Sequence, residues 1–267
     1  MQAFLFLGEI LHELPFEALK RLLDDPKRPA ADFVVLNGNG ILGGAGRLTE
    51  VFERLFESGI DVITLGEQAL ARASSRDLLN RFPKLLRPLN VPPHAPGYGH
   101  LIIKRENTSF WVVVIATPTE KRPLDDPFSA LEAWITGPGR DIPGFVQMTG
   151  NDLATKQALF WRFSRSSPPI HWIGTGLGWA SRRSSIREGN IFVPDIGIIG
   201  AEGCISGLDP KLWWKKNREH FPVEHLPPST RILADGVFLR LQQTWKISSH
   251  EPVSLPSESG FEDFSSF

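Results

Sequence analysis

Three short apolar runs each end on residues able to hold a cation. Phe4 to Leu7 gives way to Gly8-Glu9, Phe33 to Leu36 to Asn37-Gly38-Asn39-Gly40, and Asp61 to Leu65 to Gly66-Glu67-Gln68. Carboxylates and carboxamides are hard oxygen donors suited to Mg or Ca. Each run is almost wholly apolar and is separated from the next by a helix-like stretch. That pattern predicts parallel strands covered by helices on both faces. Ligands in open α/β sheets collect beyond the carboxyl ends of such strands. Glu9, Asn37, Asn39, Glu67 and Gln68 are therefore expected near one another at one sheet edge.

The elements that must position them follow from spacing. His12 to Asp25 is read as a helix through Leu14, Phe16, Leu19 and Leu22-Leu23, and Thr49 opens another that uses Val51, Leu55 and Phe56. Ala69 to Asn80 is read as a third. Leu101–Lys104 and Phe110–Ala116 read as a hairpin. Further helices are expected at Ala130–Ile135, Asp152–Phe163 and Lys211–Glu219. Further strands are expected at Gly144–Met148, Ile170–Ile173 and Asn190–Val193, with a late strand pair within Arg231–Gln242. The result is an α/β chain in which two packed sheets carry helices outside. Residues 1–247 are read as one domain. Residues 248–267, rich in Ser, Glu and Pro and containing Phe261, Phe264 and Phe267, are read as a flexible tail.

Composition bounds the function. The chain of 267 residues has a formal net charge of −1, which gives no bulk attraction to nucleic acid or anionic membrane. No run is long enough to cross a bilayer, so no membrane insertion is expected. A single cysteine, Cys204, and no visible signal peptide favour a cytoplasmic location.

Two surface features invite partners. Arg162, Arg165, Arg182, Arg183 and Arg187 lie among Trp161, Trp172 and Trp179 with no acidic residue from Gln157 to Arg187. Converging, they would form an anion-binding face for a nucleotide or RNA. As a solvated rim around core tryptophans they would bind nothing, and the balanced charge favours this plainer alternative. Trp213-Trp214 on a helix, and the tail, point to a protein partner or self-association. Gly174-Thr175-Gly176-Leu177-Gly178 lacks the Lys-Ser/Thr of a phosphate-binding loop.

Taken in order, Gly8-Glu9, Asn37-Gly38-Asn39-Gly40, Gly66-Glu67-Gln68, Leu86-Arg87-Pro88-Leu89-Asn90, Leu124-Asp125-Asp126-Pro127-Phe128, Gly174-Thr175-Gly176 and Asp195-Ile196-Gly197 resemble the YmdB-type metallophosphoesterases of the calcineurin-like superfamily. The resemblance runs from about Phe4 to about Gln243. It implies a four-layer α/β/β/α sandwich, with two transition-metal ions at the strand ends and hydrolysis of phosphodiesters, cyclic nucleotides among them.

Position by position, the chain departs from that pattern. Glu9 stands for its aspartate, Asn39-Gly40 for its Glu-Asn, Glu67-Gln68 for its Asn-His, and Thr149, Gly176 and Gly178 for three histidines. Gln68 cannot donate a proton at neutral pH. The resemblance with these losses implies a catalytically inactive pseudoenzyme with no cofactor, acting as a structural or regulatory binding protein. Two alternatives stand beside it. One is a divergent phosphodiesterase acting on cyclic nucleotides or RNA, with a single Mg or Ca ion on Glu9, Asn39 and Glu67. The other is a nucleotide or RNA binder without turnover. Without a metal, Glu9 and Glu67 would repel unless one is protonated or an arginine, Arg47 or Arg87, intervenes.

Overall fold

The computed structural model describes residues 1–11, 16–43, 48–71, 73–105, 108–118, 124–181, 183–204, 209–220 and 232–255. Its strands are β1 (Gln2–Ile10), β2 (Phe33–Asn37), β3 (Val62–Thr64), β4 (Leu85–Leu86), β5 (His100–Arg105), β6 (Thr108–Ala116), β7 (Gly144–Thr149), β8 (Ile170–Gly174), β9 (Ser185–Arg187), β10 (Asn190–Val193), β11 (Ile198–Ala201), β12 (Ile232–Leu241) and β13 (Ile247–Leu255). The helices are α1 (Phe16–Leu23), α2 (Leu48–Glu57), α3 (Ser75–Arg81), α4 (Pro127–Thr136), α5 (Leu153–Phe163) and α6 (Pro210–Glu219).

One sheet has the order β13-β12-β11-β1-β2-β3-β4, the other β5-β6-β7-β8-β10-β9. β1 to β4 run parallel, as do β6, β7, β8 and β10, so the carboxyl ends of each set share an edge. Alternate residues of each strand face opposite ways. Phe4, Phe6, Val35, Val112, Phe145 and Ile173 turn inward and form the core between the sheets. Their neighbours turn outward: Leu5, Leu7, Val34 and Leu36 pack under α1, α2 and α3, and Val113, Val146 and Trp172 under α4 and α5. The four layers are α/β/β/α, as the resemblance implies. The helices begin on local signals, Asp126 and Asp152 capping α4 and α5 through their carboxylates.

Three expectations change. Ala69–Asn80 is not one helix; a 3₁₀ turn at Glu67–Leu70 precedes α3, which starts only at Ser75. The late strand pair is a single long strand, β12. The first part of the expected tail forms β13, which pairs antiparallel with β12 and buries Val253 and Leu255. Pro252 interrupts its alternation but is tolerated because β13 is an edge strand. Residues 256–267, with the three phenylalanines, lie outside the described residues. No helix among the described residues is long and apolar enough to cross a membrane.

Asn90 shows how the loop after β4 is locked to the second sheet. Fully buried, it receives the Ala116 N–H on Oδ1 at 3.0 Å and donates Nδ2 to the Ala116 carbonyl at 2.9 Å, and to the Asp125 carbonyl at 3.1 Å. Its side chain pairs with β6 as a strand would. Replacing Asn90 by alanine strands these buried backbone groups, so Asn90→Ala should lower unfolding free energy by about 2–4 kcal/mol, read by denaturant titration.

Candidate functional site

A β-bulge between Leu7 and Glu9 brings Glu9 into register with Asn37 of β2 and Ile198 of β11. The end of β3 delivers Glu67 and Gln68 to the same place. The expected convergence is real, and Asn39 is its hub. Its Oδ1 accepts the backbone N–H groups of Gly66 at 2.8 Å and Gln68 at 3.2 Å. Its Nδ2 donates to Glu9 Oε1 at 3.0 Å and lies 3.4 Å from each carboxylate oxygen of Glu67. Gln68 adds a donor to Glu67 at 3.3 Å. The contact requires glycine at position 66, where a Cβ would sit 2.9 Å from the Asn39 carboxamide.

The second sheet closes the site. Asn37 takes the Asn39 N–H on Oδ1 at 2.9 Å and donates Nδ2 to Thr175 Oγ1 at 2.8 Å, across the gap between β2 and the end of β8. Thr175 O in turn accepts the Nζ of Lys156 at 2.6 Å. Lys156 lies on α5 and is wholly buried. Asp195, also buried, accepts the backbone N–H of Leu177 at 2.6 Å and of Gly197 at 2.7 Å.

Burial governs the titration of these groups. It pushes the Glu9 carboxyl up to about 7, against the pull of the Asn39 hydrogen bond, and the charges of Glu67 and Asp195 push the same way. Burial also raises Asp195 to about 6 and lowers Lys156 to about 8, the charges of Asp195 and Glu9 pulling the lysine back up. The repulsion expected between Glu9 and Glu67 is thus relieved by the Asn39 amide, by retention of a proton on Glu9 and by Lys156.

No arginine among the described residues does this. Arg87 is turned to the carbonyls of Pro88, Ala95 and Pro96, and Arg47 lies outside the described residues. Lys156 is the residue the sequence pattern missed, and Asp195 entered it only as part of Asp195-Ile196-Gly197 without a role. The available signal was the lysine's place on α5, on the same helical face as the buried Leu159, Phe160 and Phe163.

The other candidates are distributed. Thr149 ends β7 and is buried, its hydroxyl without a partner among the described residues. Gly176, at φ +99°, packs where a Cβ would meet the Gly150 backbone at 2.8 Å, so this position has no room for a side chain. Gly178 faces open space and Gly40 abuts the Ile10 carbonyl. Arg162 pairs with Glu132 on the outer surface at 2.9 Å, Arg165 and Arg183 are exposed, Arg187 lies on the edge strand β9, and Arg182 is outside the described residues. Trp172 is core, whereas Trp161 and Trp179 are exposed.

The donor set does not fit a metal centre. Among the described residues no three His, Cys, Asp or Glu side chains gather as a ligand group. His171 is buried between the Trp245 carbonyl and the Ile191 N–H, and His250 pairs with Ser184. The single-cation set of Glu9, Asn39 and Glu67 fails at its centre, because Asn39 turns its NH₂ to both carboxylates. Presenting oxygen there would break its two bonds from backbone N–H groups.

The folded carboxyl of Glu9 keeps its proton where the unfolded one has lost it, between about 4.5 and about 7. Its contribution to stability is therefore present at low pH and falls as pH rises through that window. The Tm of Glu9→Gln relative to the parent should climb from about pH 4.5 to above about pH 7, as followed by scanning calorimetry.

Comparison with known proteins places the chain. The profile of the family described as YmdB-like protein matches residues 5–253. A 2',3'-cyclic-nucleotide 2'-phosphodiesterase of Bacillus subtilis (strain 168) is 24% identical over 260 residues, 96% of this chain and 98% of the relative. The crystal structure of a hypothetical protein from Thermus thermophilus superposes with a TM-score of 0.79 at 22% identity, covering 94% of this chain and 98% of that one. A crystal structure titled as a novel phosphatase of Mycoplasma pneumoniae gives 0.80 at 20% identity, covering 96% and 94%. The expectation of a catalytically inactive chain is corrected by this end-to-end kinship with a phosphodiesterase. Beside the missing pattern residues, Lys156 and Asp195 keep the site charged and titratable. The chain belongs to the YmdB-like protein family.

Proposed function

We propose that the chain is a divergent phosphodiesterase that hydrolyses small phosphodiesters, cyclic nucleotides foremost, at the strand-end pocket, with Glu9 as the proton carrier. The observation that carries this is a carboxyl group poised near pH 7 at the carboxyl edge of the sheet, held in place by Asn39. A general base works best when its pKa lies near the operating pH. The names borne by the Bacillus subtilis relative and the Mycoplasma pneumoniae structure support the reaction class.

In the reaction, ionised Glu9 takes a proton from a water molecule as its oxygen bonds to phosphorus. The bond from phosphorus to one ribose oxygen breaks, and the same proton passes to that oxygen, leaving a phosphomonoester. Asn39 orients the carboxylate, and its own orientation is fixed by Gly66 and Gln68. No step passes through a metal ion.

The full chain should hydrolyse 2',3'-cyclic nucleotides or bis(p-nitrophenyl) phosphate in the presence of EDTA. Activity should fall as pH drops through about 7, and Glu9→Gln should lower kcat by about 10²-fold or more. Absence of turnover above the buffer rate for every substrate overturns the proposal.

A further inference from the structure

We infer that the buried ammonium of Lys156 is the resident cation of this pocket, and that the pocket binds a phosphate group directly, without a divalent metal. The choice of phosphate as ligand rests on the phosphodiesterase proposal; the place of the lysine does not.

Four observations carry it. Lys156 is wholly buried, and its Nζ reaches the Thr175 carbonyl at the end of β8. It lies within the field of Glu9 and Asp195, so positive charge is already supplied to the carboxylates by the chain itself. Asn39 turns hydrogen-bond donors, not oxygen, toward Glu9 and Glu67.

The fourth comes from β7. Phe145, Gln147 and Thr149 share the strand face that looks across at the first sheet, since Phe145 lies in the inter-sheet core. Gln147 and Thr149 are buried, yet both polar atoms of the Gln147 carboxamide and the Thr149 hydroxyl are unpartnered among the described residues. So is the buried hydroxyl of Thr117, whose N–H bonds the Thr149 carbonyl. Buried polar groups need partners. An amide NH₂ and two hydroxyls on β7 and just past β6 are donors an oxyanion needs, and Lys156 on α5 adds positive charge. They include neither the imidazoles nor the thiolates that hold transition metals. Lys156 is a positioning and charge-supplying residue here, since its Nζ is committed to a protein carbonyl.

The test uses the full chain in two arms. In the first, Mn²⁺ is titrated against the free-ion electron paramagnetic resonance signal. The parent protein should leave the signal unchanged; one or two bound ions per chain, lost in Glu67→Ala, overturn the inference. In the second, inorganic phosphate is titrated calorimetrically with EDTA present. The parent should bind, Lys156→Met should weaken binding by about tenfold or more, and Lys156→Arg should restore part of it. Phosphate affinity equal in the parent and Lys156→Met overturns the inference. So does a failure of the parent to bind phosphate. If Lys156→Met does not fold, as judged by near-ultraviolet circular dichroism, Lys156→Gln takes its place in the phosphate arm, and the Mn²⁺ arm decides independently. Phosphate binding without any hydrolysis would sink the enzymatic proposal and leave this one standing.

Discussion

The hydrogen bond from Asn37 Nδ2 to Thr175 Oγ1 joins the carboxyl ends of two sheets whose shared core is built from apolar side chains. It links the acidic group on one side of the site to the basic group on the other. On one side Asn37 holds the backbone of Asn39, which holds Glu9 and Glu67. On the other, the carbonyl of Thr175 holds Lys156. A bond buried completely at both ends has no water to replace it. The relative position of the acidic and basic groups is therefore set by a side-chain contact and not by a loop.

Burial then makes that position chemically useful. Glu9, Asp195 and Lys156 all lose hydration, and each shifts toward neutrality by the same cause with opposite sign. The carboxyls rise and the amine falls, so two carboxyls and an amine whose ordinary ranges are far apart titrate close together here. Such convergence is a physical property of the layered fold, since strand ends lie under helices and beside a second sheet.

Much of this is legible in the residues. The apolar runs ending in Glu9, Asn39 and Glu67 specify parallel strands because period and length leave few alternatives, and the gathering of those side chains follows from the geometry of open sheets. The direction of the Asn39 amide is not legible, because backbone N–H groups 27 and 29 residues away determine it. Lys156 is hidden by its type. Lysine in an amphipathic helix reads as solvent-facing, and only its alignment with Phe160 and Phe163 marks it as buried. β13 is masked by Pro252 and by serines that break the alternation, a composition that suits an edge strand as well as a tail.

The inter-sheet core is divided along the strands. Phe4, Phe33, Phe110, Phe145 and Trp245 cluster in tilted and edge-to-face contacts at the amino-terminal end of the parallel strands, with Phe4 and Phe145 centroids 4.7 Å apart and Phe33 and Phe110 5.0 Å apart. The polar network occupies the opposite end. Cohesion and reactivity are thus assigned to separate ends of the same β-strands. Side chains at the pocket end can be exchanged, even wholesale, while the aromatic cluster goes on clamping the sheets together, which is how one architecture accommodates a changed set of working residues without losing its shape.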